Sequence, residues 1–276
     1  MIPQRFEYSA PGNLQEALGM LEQDGAKPLA GGMSLIPMMK LRLAAPEQLI
    51  DISRLKELNY IREEGGELHI GAGTTHYDME SSPIARAKCP LLTETVTNIG
   101  DIQVRNVGTI GGSAAHADPA ADYPAALQAL EARFVLARKG SERTVSAADF
   151  FVDTMTTALE RGEIIREIIV PLEVSSTGVS YQKCVHPASG YAIVGVAARA
   201  GKDFVRVGVT GLSHKAYRAE NVEKLFAETR NAAKAAAVVA SNIEANSDLH
   251  ASAEYRKHLA RVYAQRALKQ AASRMT

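Results

Sequence analysis

Apolar and polar positions along the chain follow two periods in turn. Asn13, with Glu16 three places on, opens an amphipathic stretch to about Gln23, the pattern of a capped helix. Short apolar runs at residues 27–30 and 48–52 predict buried strands, the first leading into Gly31-Gly32. Residues 60–64 and 67–70 flank Gly65-Gly66, a hairpin signal, and Thr74-Thr75 suits the cap of the next helix. Helices are predicted over residues 91 to about 99 and 122–132, the latter with Pro124 in its first turn, where a missing N–H costs little. Residues 134–137 and 163–170 read as strands. After a linker at 175–178, residues 191–200 and 204–212 form two strands joined by a glycine turn, and the alanine-rich remainder from Arg218 is helical. The pattern divides the chain near residue 176, into parts spanning 1–176 and 177–276, both of α+β character.

Composition narrows the function. The chain has 276 residues, 46% of them hydrophobic, enough for roughly two domains. Basic and acidic residues balance at 31 each with no basic cluster, which argues against a nucleic-acid partner. No apolar run approaches the ~20 residues of a transmembrane helix, and the N-terminus lacks a signal-peptide pattern. The two cysteines, Cys89 and Cys184, are far apart. They make no metal or cluster motif, and so few thiols fit a reducing cytoplasm.

Two segments carry candidate chemistry: Ala30-Gly31-Gly32-Met33-Ser34 and Thr109-Ile110-Gly111-Gly112-Ser113. Each sets paired glycines and a hydroxyl residue after an apolar run. One Gly-Gly is ordinarily just a turn. Two matching ones can present successive N–H groups as an anion nest and hold two phosphates. Neither is a Rossmann or nucleotide-triphosphatase loop. Asp122 follows, either as a helix N-cap or as an acceptor for a cofactor hydroxyl. Lys183 and Tyr191 flank the loop Pro187-Ala188-Ser189-Gly190, and alone read as a surface lysine and a residue at a strand start. The seven histidines show no ligand spacing; His116 and His186 stand nearest the candidate segments, without a visible partner. No catalytic residue, nucleophile elbow or metal set is recognisable.

On these residues the sequence resembles the FAD-binding medium subunits of the molybdenum hydroxylases, the family of xanthine dehydrogenase and aerobic carbon monoxide dehydrogenase. The likeness spans nearly the whole chain. It rests on Met1-Ile2-Pro3 with Phe6-Glu7-Tyr8, on the stretches 28–42 and 102–115, and on Asp118-Pro119-Ala120-Ala121-Asp122. It implies a two-lobed FAD-binding domain of the vanillyl-alcohol-oxidase type and a small C-terminal domain, an antiparallel sheet with helices. It further implies FAD held by Ala30, Gly31, Gly32, Met33, Ser34, Thr109, Ile110, Gly111, Gly112, Ser113, Asp122, Ile165, Lys183 and Tyr191, the tyrosine lying over the isoalloxazine. The molybdenum cofactor would sit on a large subunit and two 2Fe–2S clusters on a small one, in a dimer of heterotrimers. The chain would pass electrons from those clusters to an external acceptor. The alternative is a stand-alone FAD-dependent oxidoreductase with its own substrate pocket. Met33 departs from the histidine of many carbon-monoxide-dehydrogenase-like members, which argues against carbon monoxide as substrate, and Ser113 replaces a common asparagine.

Overall fold

In the first lobe, three short strands, Glu7–Ser9, Gln48–Asp51 and Ala26–Leu29, lie side by side in that order, all parallel. Parallel neighbours need crossovers, here supplied by the helices Leu14–Met20 and Leu35–Lys40. Asn13 caps the first of these by accepting from Glu16 N–H (2.9 Å), while the Glu16 carboxylate takes Gly12 N–H (2.8 Å). That helix ends at Met20, a little before the expected Gln23. Leu14, Leu18 and Leu21 pack on Ile50 and Leu58, and Ala137 and Ile164 of the second lobe join the same core. The computed structural model describes residues 2–275, so Met1 of the matched start lies outside the described residues.

The second lobe is a five-stranded antiparallel sheet in the order Ile61–Glu64, Glu67–Gly71, Ile164–Pro171, Arg133–Arg138, Ser141–Ser146. Its first hairpin turns at Gly65 (φ 59°) and Gly66 (φ 81°), the paired positive φ of a type I′ turn. The central strand, Ile164–Pro171, is the most apolar and the most buried. Helices cover one face over a core containing Tyr123, Phe134 and Phe150. Among them, Asp122–Ala129 is buried at every position. It ends at Ala129 rather than Ala132 and lies tight against the C-terminal domain: a Cβ on Gly208 would meet Ala125 O at 1.9 Å. The expected helix over 91–99 spans Pro90–Val96.

The C-terminal domain is an antiparallel sheet of Gly178–Val185, Ala192–Ala200, Val205–Thr210 and Tyr217–Arg218, backed by the helices Glu220–Thr229, Ala232–Ala237 and Ala253–Ser273. The strand Gly178–Val185 was not expected from the pattern. Its polar residues are satisfied from afar, as when Ser180 donates to Gln270 (3.0 Å). The α+β class, the two lobes and the C-terminal antiparallel sheet with helices are as expected.

Candidate cofactor site

The first glycine segment links the strand Ala26–Leu29 to the helix Leu35–Lys40. Gly32 has φ +70°, a left-handed conformation that favours glycine. Gly31 is fixed by packing, since a Cβ there would lie 2.1 Å from Val107 O. That contact seats the first segment on the approach to the second. The N–H groups of Gly31, Gly32, Met33 and Ser34 find no acceptor among the described residues.

The second segment is different. It is the first turn of a helix, Ile110–His116, capped by Thr109. Four of its five N–H groups are already used: Ile110 donates to Thr74 O (3.0 Å), Gly111 to Ala72 O (3.0 Å), Gly112 to Thr109 Oγ1 (3.0 Å) and Ser113 to Thr109 O (3.0 Å). Successive N–H groups without a protein partner, as a nest requires, are therefore found in the first segment and not in the second. What the second offers is bare backbone surface and hydroxyls. Gly111 is pressed on Ala72, whose Cβ a new Cβ would meet at 2.5 Å, whereas a Cβ on Gly112 would meet only Thr109 Oγ1 at 2.8 Å.

Between the two segments runs a cleft of about 440 Å³. Ala30, Gly31, Gly32, Met33, Ser34, Thr109, Gly111, Gly112, Ser113, Asp122, Ile165 and Tyr191 all line it. Ile110 does not, because its side chain is fully buried in the core, and neither does Lys183. Lys27, His76, His116, Asp118, Met155 and Leu159 also line the cleft and were not singled out as binding residues. In the sequence His116 follows the second segment closely and Lys27 precedes the first by three residues, both weak signals, while His76 carries none. Tyr191 enters from the C-terminal domain. Burial, with the help of Asp118, raises its phenol above the ordinary range. The cleft is thus lined from the C-terminal domain as well as from the two lobes. Burial also holds His76 neutral, with a pKa of about 4, and its Nδ1 has no partner.

Asp122 is the first helical residue, and the cap position belongs to Ala121. Both carboxylate oxygens are engaged: Oδ1 accepts from the Tyr181 hydroxyl (2.5 Å) and Oδ2 from Lys183 Nζ (2.8 Å), which also donates to Asn98 O (2.8 Å). Lys183 is not a surface residue; its side chain is 1% exposed. Burial pushes the Asp122 carboxyl up to about 6 against the pull of Lys183 and Tyr181.

These features fit a flavin dinucleotide. Backbone donors without a protein partner line the cleft, a glycine whose Cβ would meet only the Thr109 hydroxyl lines it too, apolar residues surround them, and an aromatic ring stands at the rim. Among the described residues no group of three or more His, Cys, Asp or Glu is placed to hold a metal, and no helix is long and apolar enough to cross a membrane.

Comparison with known proteins is specific. The family described as "FAD binding domain in molybdopterin dehydrogenase" matches residues 4–173, and "CO dehydrogenase flavoprotein C-terminal domain" matches residues 179–271. The chain is 45% identical over 285 residues to the carbon monoxide dehydrogenase medium chain of Hydrogenophaga pseudoflava, covering 99% of each. It is 39% identical to the glyceraldehyde dehydrogenase medium chain of Sulfolobus acidocaldarius, covering 99% of this chain and 100% of that one. Among solved structures, carbon monoxide dehydrogenase from Hydrogenophaga pseudoflava superposes with a TM-score of 0.96 at 42% identity, covering 100% of both chains. Quinoline 2-oxidoreductase from Pseudomonas putida 86 gives 0.94 at 31% identity, again over 100% of both. The fold and cleft define an FAD-binding protein. The chain belongs to the FAD-binding medium subunits of the molybdenum hydroxylases, and is an oxidoreductase component related to the medium chains of multi-subunit complexes.

Proposed function

We propose that this chain holds FAD in the cleft between its lobes, takes electrons from two 2Fe–2S clusters on a small partner subunit, and passes them to an external acceptor. A large partner subunit would carry the molybdenum cofactor and oxidise the substrate, the whole forming a dimer of heterotrimers in the cytoplasm. The observation that carries the reading is the row of unpartnered N–H groups at Gly31–Ser34, on a cleft that Gly112 also lines. Bound there, FAD supplies the redox chemistry, and the protein supplies orientation and tuning.

The first segment would bind the diphosphate through N–H groups, and Thr109 and Ser113 through hydroxyls. Ile110 contributes by anchoring its helix. Asp122 and Ile165 would line the flavin side under Tyr191, with Lys183 acting through Asp122. The division near residue 176 is supported by family matches that end at 173 and resume at 179. Both cysteines are free, which suits a reducing compartment and clusters carried elsewhere. Relatives named for carbon monoxide, glyceraldehyde and quinoline share this fold. That spread supports a substrate chosen on another chain.

Co-expression with candidate large and small subunits tests the proposal. The expected product is a complex with a flavin absorption band that bleaches when substrate is added anaerobically. A complex without FAD, or an isolated chain that oxidises an organic substrate at the full rate of the complex, overturns it.

A further inference from the structure

His76 opens the helix His76–Ser81 and lines the cleft although only 4% of it is exposed. Its backbone is fixed from both sides: its N–H donates to Gly108 O (2.8 Å), and Thr75 before it closes a capping box with Asp78. Its ring packs on Tyr123, with 5.4 Å between centroids. The ring also lies directly behind Gly108, where a Cβ would stand 2.8 Å from His76 Nε2. From the first glycine segment, a Cβ on Gly31 would stand 2.8 Å from Gly108 Cα. Gly108 is thus the point where the two segments and the imidazole come together. Among the described residues neither ring nitrogen has a hydrogen-bond partner; Nδ1 is sealed from solvent, and Nε2 is not. Burial, with the neighbouring Arg105 guanidinium, holds the ring neutral at a pKa of about 4. A neutral imidazole carries one N–H. On Nδ1 that proton would be a buried donor with nothing to bond, whereas on Nε2 it faces the cleft, so it belongs on Nε2.

We infer that His76 is a cofactor-binding residue whose Nε2–H donates to the diphosphate of FAD, beside the N–H groups of the first segment. That role rests on the FAD-binding function proposed above. Packing alone does not call for a histidine here, since a buried polar group left unbonded costs stability and an apolar side chain would not. The protein supplies no acceptor for it. The carbonyls beside the ring are in use, Gly108 O by His76 N–H and Val104 O by Gly108 N–H (2.7 Å). The nearby carboxylates are in use as well, Glu80 by Arg105 and Asp78 by the cap. An acceptor in the cleft completes the bond. The diphosphate is the part of FAD that offers acceptors alone, and Gly108 sets the ring where the two glycine segments meet. A neutral donor there bonds the anion without burying a second charge.

The test is calorimetric binding of FAD and of ADP to the assembled complex freed of flavin, with the flavin midpoint potential measured after reloading. ADP carries a diphosphate without a flavin, so it reports on that part of the cleft alone. His76→Leu should weaken both ligands by the same factor, about tenfold, as for a hydrogen bond to a charged group, and leave the midpoint potential unchanged. The flavin-free complex should melt no lower, because an unpartnered buried polar group has been removed; a histidine that served only structure would give a lower melting temperature. His76→Gln, whose amide reaches the place of Nε2, should recover most of the affinity. His76→Asn, whose amide reaches only the place of Nδ1, should share the loss, and it stands in for His76→Leu if that variant does not assemble. Unaltered ADP affinity in His76→Leu or His76→Asn, a loss confined to FAD with a shifted potential, or an equal loss in His76→Gln overturns the role of His76 and leaves the proposed function standing. An unaltered complex that takes up no FAD overturns the proposed function itself.

Discussion

Lys183 Nζ stands 2.8 Å from Asp122 Oδ2 with both side chains buried, and the pair ties the C-terminal sheet to the wall of the cleft. Removing one member of a buried ion pair leaves the other unpaired, at a typical cost of about 3–5 kcal/mol. Lys183→Met should lower the thermal midpoint clearly and reduce FAD content together with it. The double variant Asp122→Leu with Lys183→Met should recover much of the stability but not the FAD. A Lys183→Met protein with unaltered melting and full flavin would show that the pair is incidental.

Asp122 also gives a pH signature. Its folded pKa, about 6, lies above the ordinary carboxylate value, so the folded state holds a proton that the unfolded chain has released. The associated stability is full below about pH 4 and is lost as the pH rises through 6. In urea titrations between pH 4 and 7, Asp122→Asn should therefore gain relative to the unaltered protein as pH rises. A constant difference across that range would rule out the raised pKa.

Three of the four segment glycines separate into two kinds. Gly31 and Gly111 are pressed on Val107 O and Ala72, so Gly31→Ala and Gly111→Ala should disturb folding. At Gly112 a Cβ meets only the Thr109 hydroxyl and otherwise enters the cleft. Gly112→Ala should keep the circular dichroism spectrum and lose FAD affinity tenfold or more. Full FAD occupancy with unaltered affinity would place the cofactor elsewhere.

Which of these features were legible follows from the range of the forces that make them. The glycine pairs show in the sequence because a left-handed turn at Gly32 and close contact at Gly31 are met within a few residues. The hairpin at Gly65-Gly66 was legible for the same reason. The fate of the N–H groups at 110–113 was not, because two of their acceptors, on Ala72 and Thr74, lie nearly forty residues away. Likewise Lys183 looks like a surface lysine until its partner 61 positions upstream is brought to it. The strand Gly178–Val185 hid behind Ser180, Gln182 and Lys183, whose polar groups are satisfied by the last helix, by Asp122 and by Asn98. Order and spacing of the two glycine segments, read together, carried the family resemblance that local patterns alone did not.

Lys27 lines the cleft with no ion-pair partner among the described residues, whereas Glu163 is paired with Arg143 and Asp122 with Lys183. It is the lysine available to an anionic cofactor. An exposed cation facing phosphate contributes about 1 kcal/mol, so Lys27→Gln should weaken FAD binding about fivefold and flatten its salt dependence. An unchanged salt dependence, measured by flavin fluorescence on dilution of the complex, would show that the diphosphate does not lie near Lys27.

Arg256 is buried yet reaches three acceptors: Ile193 O (2.6 Å), Gly211 O (2.8 Å) and Asp248 Oδ2 (2.6 Å). It pins the segment carrying His250 to the sheet edge behind Tyr191. Arg256→Met would leave two buried carbonyls unsatisfied, costing about 2–4 kcal/mol, and should loosen the 186–191 loop as well as lower the melting temperature. Asp248 reports the same anchor through pH. Desolvation alone would raise its carboxyl, but Arg256 and the N–H groups of His250 and Ala251 outweigh it and hold it down at about 2. A depressed carboxylate stabilises the fold above its ordinary pKa of about 3.9, and that contribution fades as the pH falls toward 2. Between pH 4 and 2.5, urea midpoints of the unaltered protein should therefore fall more steeply than those of Asp248→Asn. Parallel slopes would mean that the Arg256–Asp248 contact is screened by solvent and does not hold the segment.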